Sequence, residues 1–465
     1  MRSHRAAVVA LRQRYESLPA GSPVRLAKPT SNLFRFRDPL AVPGLDVSGF
    51  AEVLDVDPDA RTADVGGMTT YEHLLEATLP YGLMPTVVPQ LKTITIGGAI
   101  AGLGIESTSY RNGLSHESVR ELEVLTGDGE VVVARPTGEH AELFRGFPNS
   151  YGTLGYTLRC VIDLEPVQPY VRLRHVRFST AAEATGALAE ICASGTYLGQ
   201  PVDFIDGTVF GPVRLYLTLG AFTDQLPTRS PGSAHSAPVP RGTVPSEYTG
   251  RDIYYRSIGV REVDYLSTWD YLWRWDTDWF WCSRPFGVQH PLVRALWPRR
   301  YLRSDVYRRL VALDQRRGFS STVNAALGRP EREKVIQDVE IPVEKVPAFL
   351  EFFHDEVGIS PVWLCPVLAR EQWPLYPLTP GELYVNVGFW AGVPLPAGRS
   401  DGYFNRLIED KVTELGGHKS LYSTAFYPED EFWRLYNGDA YRRLKKRYDE
   451  QDRLPDLYAK CVRNW

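Results

Sequence analysis

Several residue types that mark particular protein classes are scarce in this 465-residue chain. Its five cysteines form no C-x-x-C pair, and its nine histidines show no H-E-x-x-H spacing. Neither a disulfide framework nor a zinc site is therefore expected, and no metal ligand is assigned. The cysteines are predicted to be reduced and mostly buried.

The chain also lacks an excess of positive charge. Its 52 lysines and arginines are outnumbered by 56 acidic residues, which gives a net charge of −4. No electrostatic footprint for nucleic acid is present, so a nucleic-acid partner is not expected. Only nine of the basic residues are lysine, a composition typical of GC-rich bacterial genomes.

Long apolar runs are absent as well. No segment approaches 18 consecutive apolar residues, and the first residues lack the apolar run of a signal peptide. We expect a cytoplasmic protein whose contact with a membrane, if it has one, is peripheral. The oligomeric state is left open.

Glycine, in contrast, is concentrated in residues 93–113. Four glycines fall within positions 97–104, after a β-branched run at 93–96 and before several serines and threonines. Such backbone can approach a ligand closely, and successive N–H groups can hold an anion. A tight turn would need only one glycine pair, so the four glycines favour a phosphate-bearing ligand. The spacing fits neither G-x-G-x-x-G nor a P-loop.

A second glycine-rich piece, residues 151–157, leads into an alternating strand predicted at 158–164. Between the two pieces, residues 122–125 and 131–133 are predicted to form a hairpin. The turn signal is Gly127-Asp128-Gly129.

These motifs, in this order, resemble the PCMH-type FAD-binding family that includes vanillyl-alcohol oxidase, and within it the Δ24-sterol reductase branch. Bacterial methylene-fatty-acyl reductases look similar too. The resemblance covers nearly the whole chain. It is carried by Thr95-Ile96-Gly97-Gly98, Gly104-Ile105-Glu106-Ser107, Gly152-Thr153-Leu154-Gly155, Gln337-Asp338, Val362-Trp363-Leu364-Cys365-Pro366, Glu382-Leu383-Tyr384-Val385 and Glu431-Phe432-Trp433.

The resemblance implies an α+β fold with a two-lobed FAD-binding domain at residues 1–168. An α+β substrate domain at 169–428 and a helical tail at 429–465, packing back on the FAD domain, would follow. Residues 27–32 contain no histidine or glycine, so FAD is expected to be bound without a covalent bond. The expected FAD-binding residues are Thr30, Ser31, Asn32, Thr93, Thr95, Ile96, Gly97, Gly98, Gly102, Gly104, Ile105, Glu106, Ser107, Tyr110, Gly152, Thr153, Leu154 and Gly155.

Periodicity predicts helices at 6–18 and from Thr69 through residue 79, where Thr69 and Glu72 match the capping-box pattern. The tail is predicted to contain one basic helix at 429–448. Residues 227–250 are predicted to form a mobile loop that could act as a lid.

Five tryptophans lie within residues 269–281, and two interpretations stay open for them. They form a packed aromatic cluster, or some of them line a channel for an apolar substrate or meet a lipid interface. Residues 294–317 are basic and aromatic, which fits either a solvated helix face or contact with phosphate groups.

The resemblance further implies reduction of an isolated carbon–carbon double bond by FAD, with NADPH or NADH as reductant. The expected substrate is an apolar lipid. Protonation to a tertiary cation would precede hydride transfer from flavin N5, which requires an acid near the alkene. Glu106, Asp338 and Tyr422 are the catalytic candidates, and the sequence does not choose among them. Further candidates for the proton donor are Tyr110, His116 and Tyr427.

Two other functions are compatible with the sequence. One is an FAD-dependent oxidase or dehydrogenase of an alcohol or aldonolactone, the commoner chemistry of the wider family. The other is a non-catalytic flavin- or lipid-binding protein.

Overall fold

The computed structural model describes residues 2–19, 21–28, 33–35, 44–227, 244–317 and 330–463. It is an α+β protein, as expected. Its strands are β1 Leu26–Ala27, β2 Leu45–Asp46, β3 Val53–Asp57, β4 Thr62–Gly66, β5 Leu83–Pro85, β6 Val119–Leu125, β7 Val131–Ala134, β8 Tyr156–Pro166, β9 Tyr170–Phe178, β10 Thr196–Tyr197, β11 Gln200–Pro201, β12 Phe204–Gly211, β13 Arg214–Thr223, β14 Val263–Ser267, β15 Arg332–Pro342, β16 Val362–Leu368, β17 Leu383–Pro394 and β18 His418–Lys419.

The helices accompany these strands in chain order. They are Arg2–Glu16, Tyr71–Thr78, Ile96–Ala101, Ser109–Asn112, Ala141–Gly146, Ala181–Ser194, Tyr254–Ser257, Thr268–Leu272, Pro291–Leu296, Ser304–Arg317, Val346–Glu356, Tyr403–Glu414, Glu429–Leu435, Gly438–Tyr448 and Leu457–Cys461. Short 3₁₀ turns lie at Ser48–Phe50, Leu79–Tyr81, Ser115–Ser118, Arg284–Phe286, Arg299–Tyr301 and Val343–Lys345.

The N-terminal sheet has six strands in the order β3-β4-β8-β6-β7, with β5 also paired to β8. The long strand β8 lies at its centre because its alternating residues Leu158, Cys160, Ile162 and Leu164 are all buried. The strands predicted at 122–125, 131–133 and 158–164 are confirmed, each as part of a longer strand.

The second sheet has eight strands in the order β14-β9-β13-β12-β16-β17-β15-β18. The chain enters it directly, since β8 ends at Pro166 and β9 begins at Tyr170. Helices Ala181–Ser194 and Val346–Glu356 cover one face through an aliphatic core that includes Val339. Residues that alternate with this core, such as Asp338 and Trp363, lie on the other face.

Two helix predictions need correction at their ends. The first helix is Arg2–Glu16, whereas residues 6–18 were predicted. The second is capped by Thr70 instead of Thr69, because the Thr70 Oγ1 accepts a hydrogen bond from the His73 N–H. Glu72 closes no capping box; its carboxylate pairs with the Arg303 guanidinium at 2.8 Å.

The single tail helix predicted at 429–448 is wrong, because two helices replace it. The chain breaks at Asn437, where φ is 51° and the side chain caps the second helix by accepting from the Ala440 N–H. The second helix contacts the N-terminal half, since Lys445 Nζ donates to the Thr153 carbonyl and Tyr448 bonds His140. Most of the loop predicted at 227–250 lies outside the described residues.

Across the part of the chain that the structure describes, no helix has the length and apolar character needed to cross a membrane.

Candidate functional site

One cavity of about 560 Å³ lies between the two sheets. Both glycine-rich pieces contribute to its wall, as do Asp338 on β15, Trp363 on β16 and Trp390 on β17. Its volume is in the range of ordinary cofactor and ligand sites. Segments separated by more than 200 residues in the sequence therefore form one site.

The glycine-rich stretch contains a short helix, Ile96–Ala101. Thr95 caps it through a hydrogen bond from the Gly98 N–H to Thr95 Oγ1. The Ile96 and Gly97 N–H groups donate to the Thr69 and Gly67 carbonyls, each at 2.9 Å. These two amides are consequently not available as an anion-binding pair.

Gly98 marks the part of this helix that faces open space. A Cβ built there would meet only the Thr95 hydroxyl at 2.9 Å and Lys28 Nζ at 3.9 Å. At Gly97, in contrast, a Cβ would lie 2.6 Å from the Gly67 carbonyl oxygen, so that glycine is required for close packing. The absence of a side chain at Gly98 leaves volume in the cavity.

Cationic and amide donors surround the same region. Arg25, Lys28 and Lys460 line the cavity, and Lys28 Nζ donates to Thr95 Oγ1 at 3.2 Å. Among the described residues, the N–H groups of Leu103 and Ile105 find no protein acceptor. This donor set fits a diphosphate and the polar edge of a flavin, so the residues present fit FAD.

The expected FAD-binding residues divide into three groups. Those that line the cavity are Thr93, Thr95, Gly97, Gly98, Gly102, Gly104, Ile105, Gly152 and Gly155. Those buried in the surrounding structure, outside the cavity lining, are Ile96, Glu106, Ser107, Tyr110, Thr153 and Leu154. Thr30, Ser31 and Asn32 lie outside the described residues.

Glu106 belongs to a buried charge cluster beside the cavity. Arg274 Nη2 donates to Glu106 Oε1 at 3.1 Å and to Asp206 Oδ2 at 2.8 Å, and all three side chains are buried. The indole N–H of Trp275 also donates to Asp206. Burial raises the pKa of Glu106 while the Arg274 guanidinium opposes that rise. The ion pair with Arg274 indicates a structural role for Glu106, and the Glu106 side chain does not line the cavity.

Three further acid candidates also lie away from the cavity. The Tyr110 hydroxyl donates to the Val202 carbonyl at 2.5 Å. His116 packs edge-on against Trp373, and burial lowers its pKa to about 3, so it is neutral at physiological pH. Tyr427 is buried in the core beneath the tail helices.

Asp338 and Tyr422 remain, and both line the cavity. Asn386 Nδ2 lies 3.5 Å from Asp338 Oδ1, and burial raises the pKa of Asp338 to about 7. The Tyr422 hydroxyl accepts a 2.9 Å hydrogen bond from Trp390 Nε1, and burial holds its pKa well above the usual value. The cavity thus contains a carboxyl group that carries a proton up to neutral pH.

Aromatic rings form the wall near these two residues. Trp279, Phe280, Trp363 and Trp390 line the cavity, with the Phe280 and Trp390 ring centroids 4.5 Å apart. Trp279 and Phe280 have φ values of 48° and 61°. A left-handed backbone costs about 1–2 kcal/mol at such residues, and strain of this kind is common at ligand sites.

The rest of the segment at 269–281 is core. Trp273, Trp275 and Trp281 are buried, and Trp275 stacks on Phe280. Both interpretations therefore hold for different rings. Trp279 and Phe280 line the cavity, whereas Trp273 and Trp275 belong to the packed cluster. Trp269 is partly exposed, and a lipid interface at this segment stays a prediction.

Sequence reasoning missed the cations and part of the aromatic wall. Lys28 lies within residues 27–32, the segment that lacks histidine and glycine. Lys460 lies near the other end of the chain, and its Nζ donates to the Tyr151 carbonyl. Trp363 belongs to a motif used for the resemblance but was given no role. Of these residues, only Lys28 could have been recognised from its neighbours in the sequence, because it lies within residues 27–32, where a phosphate-binding segment was expected.

Comparison with known proteins bears on the cofactor and the class of enzyme. Residues 42–135 match the family model described as FAD binding domain. The chain is 26% identical over 431 residues to Delta(24)-sterol reductase of Homo sapiens, covering 89% of this chain and 76% of that protein. The Arabidopsis thaliana Delta(24)-sterol reductase is 27% identical over 441 residues, with 90% and 76% covered.

Another match is shorter. Cytokinin dehydrogenase 10 of Oryza sativa subsp. japonica is 31% identical over 156 residues, which cover 34% of this chain and 28% of that protein. The similarity to the sterol reductases thus extends over both sheets, whereas this one covers a third of the chain.

Proposed function

Because this chain is an FAD-dependent oxidoreductase, similar over about 90% of its length to Delta(24)-sterol reductases, we propose that it reduces an isolated carbon–carbon double bond of an apolar lipid. The observation that carries the proposal is Asp338. Burial raises the pKa of its carboxyl group to about 7, and the group lies in the same cavity as the glycine-rich stretch.

In this proposal, the cationic and glycine-rich side of the cavity holds FAD without a covalent bond. Lys28, Arg25 and Lys460 provide positive charge for the diphosphate, and Gly98 leaves room for it. The amides of Leu103 and Ile105 are further donors. When bound, FAD supplies a hydride, which it receives from NADPH or NADH.

Asp338 supplies the proton. An isolated alkene has no carbonyl group to polarise, so protonation at the less substituted carbon must come first and gives a tertiary cation. A carboxyl group that is still protonated near neutral pH is a suitable general acid. Tyr422, whose pKa is raised well above the usual value, is a weaker acid than Asp338 at the same cavity.

The aromatic wall serves the cation and excludes water. The faces of Trp363, Trp390 and Phe280 carry the negative side of the ring quadrupole, which stabilises a nearby positive charge. The same rings keep the cavity dry, which prevents capture of the cation by water. A long apolar chain fits such a wall, and a methylene-branched fatty acyl chain or a sterol side chain offers the required tertiary cation.

Isotope labelling tests this order of events. Turnover in deuterated water is expected to label the less substituted carbon, and deuterated NADPH the tertiary carbon. A methylene-branched acyl lipid is expected to be reduced while oleate is not, because oleate yields only a secondary cation. Mass spectrometry of the product locates both labels.

Two results would contradict the proposal. Reversed label positions, or equal rates on oleate and its methylene-branched counterpart, would exclude protonation to a tertiary cation. Hydrogen peroxide released with an alcohol or aldonolactone, together with no flavin reduction by NADPH or NADH, would identify an oxidase instead.

A further inference from the structure

The helix Pro291–Leu296 has its polar and apolar sides reversed. A surface helix normally buries its apolar residues and exposes its charges. Here Leu292 is 72% exposed and Leu296, one turn later on the same side, is 86% exposed, whereas Arg294 is 4% exposed. Val293 and Tyr301 add exposed apolar surface beside the leucines.

Buried hydrogen bonds fix this orientation. The Arg294 guanidinium makes two contacts with the Asp278 carboxylate, at 2.8 and 3.0 Å. It also donates to the carbonyls of Tyr248 at 2.9 Å and Gly250 at 2.6 Å. A fifth hydrogen bond goes to the Asp252 carbonyl at 3.2 Å. These five bonds resist rotation of the helix, so the leucines stay directed away from the core.

The leucines lie in a stretch without negative charge. Residues 279–304 contain five arginines and neither Asp nor Glu, in a chain whose net charge is −4. Arg284, Arg299 and Arg300 are exposed. Within the described residues, Arg284 and Arg300 form no ion pair, and the exposed Arg299 pairs only with the half-exposed Glu247.

This surface is continuous with the cavity wall. Trp297, at the end of the helix, packs on a cluster of Val288, Leu302 and Tyr307, and the same cluster contains Trp279. Trp279 lines the cavity. An apolar path of side chains therefore joins the exposed leucines to the proposed substrate site.

We propose that Pro291–Leu296 and the following turn, Arg299–Tyr301, form a docking surface for a bilayer that contains anionic lipids. Leu292, Val293 and Leu296 enter the acyl boundary, and the arginines contact the headgroup phosphates. Interfacial helices use this combination of apolar and basic side chains. The proposal goes beyond the reaction proposed above and holds for any apolar substrate.

A second copy of the chain suits this surface less well. A two-fold interface would bring the same arginines of both copies together, and like charges repel. The exposed apolar area consists of a few side chains, whereas a stable dimer buries about 800 Å² on each partner. The charge of the surface therefore favours a partner that carries negative charge.

Co-sedimentation with vesicles tests the docking surface. The FAD-loaded protein is expected to bind phosphatidylcholine vesicles that contain phosphatidylglycerol, and to bind less as salt rises. The double variant Leu292→Ser/Leu296→Ser should reduce the partition coefficient by about tenfold or more, because two apolar side chains no longer enter the bilayer. Arg300→Gln should reduce it by about fivefold, and only on the anionic vesicles.

Matched controls separate docking from general effects. Leu198→Ser, at a 76% exposed leucine between β10 and β11, and Arg5→Gln, at an exposed arginine of the first helix, should bind like the unchanged protein. Flavin content should be the same in all variants. No binding to anionic vesicles, or equal binding by the leucine variant, would overturn the proposal. A dimer in sedimentation velocity that the leucine variant converts to monomers would assign the surface to self-association instead.

Discussion

At the residue scale, the distinction among the candidate acids depends on which side chains reach the cavity. Glu106 and Asp338 are both enclosed carboxyl groups with raised pKa values. Glu106 is held by Arg274, whereas the described contacts of Asp338 are with neutral groups. A carboxyl group without a cationic partner retains its proton to higher pH, which is what an acid for alkene protonation needs.

Asp338→Asn should therefore separate the two halves of the reaction. Flavin reduction by NADPH should be nearly unchanged, while alkene reduction should fall by about 10²–10⁴-fold. In the unchanged enzyme the pKa of Asp338 is raised to about 7, so alkene reduction should fall as pH rises through 7. Stopped-flow measurement of each half-reaction between pH 5 and 9 distinguishes these effects.

Tyr422→Phe provides the comparison for that experiment. It keeps the ring on the cavity wall and removes only the hydroxyl that accepts from Trp390. Alkene reduction should survive, and its fall should move to higher pH, because the Tyr422 hydroxyl also hydrogen-bonds Asp338 and lowers its pKa. A loss in the tyrosine variant together with full activity in the asparagine variant would assign the proton to Tyr422.

At the scale of single elements, strands were easier to predict than the helix at the site. Strands such as β8, β9 and β14 alternate buried residues with less buried ones, and that pattern is visible in the sequence. The helix Ile96–Ala101 contains two consecutive glycines after β-branched residues, both weak helix formers. Bonds to Thr69 and Gly67, which no local pattern reveals, hold its first turn.

Gly98→Val should weaken FAD binding, so that less FAD is retained while the protein stays folded. The added side chain would fill cavity volume and press on Thr95 Oγ1, at a cost to binding of about 1–3 kcal/mol. Flavin released by acid precipitation measures the bound FAD, and circular dichroism measures the fold. Release of the flavin by acid from the unchanged protein also checks that FAD is not covalently bound.

Gly186→Val is the matched control for that change. Gly186 lies within the helix Ala181–Ser194, and a Cβ there meets no atom within 4 Å. It should retain normal FAD content. If the Gly98 variant also kept all its FAD, the helix would not border the cofactor.

At the scale of the whole molecule, the site required information that one sequence does not contain. The glycine-rich wall was predicted because its composition is unusual over a few residues. The opposite wall comes from β15–β17 and the tail, more than 200 residues away. In the sequence, its aromatic residues look the same as those of an ordinary hydrophobic core. Only the fold shows which of them border the cavity.

The buried cluster of Arg274, Glu106 and Asp206 joins the two halves. Glu106 follows the glycine-rich stretch, Asp206 lies on β12 of the second sheet, and Arg274 bonds both. Arg274→Met should lower the free energy of unfolding by about 3–5 kcal/mol, because two buried carboxylates lose their cation. Arg120→Met, which breaks an exposed pair with Asp163, should cost about 1 kcal/mol or less.

The pH dependence of this loss identifies its cause. Without Arg274 the folded-state pKa of Glu106 should rise further above its unfolded value, so the folded variant takes up a proton as pH falls. Its stability deficit should be smaller at pH 5 than at pH 8 in urea denaturation. Adding Glu106→Gln should recover part of the deficit, since the double variant buries one carboxylate fewer. A deficit that is the same at both pH values would indicate lost packing of the arginine side chain in place of unpaired charge.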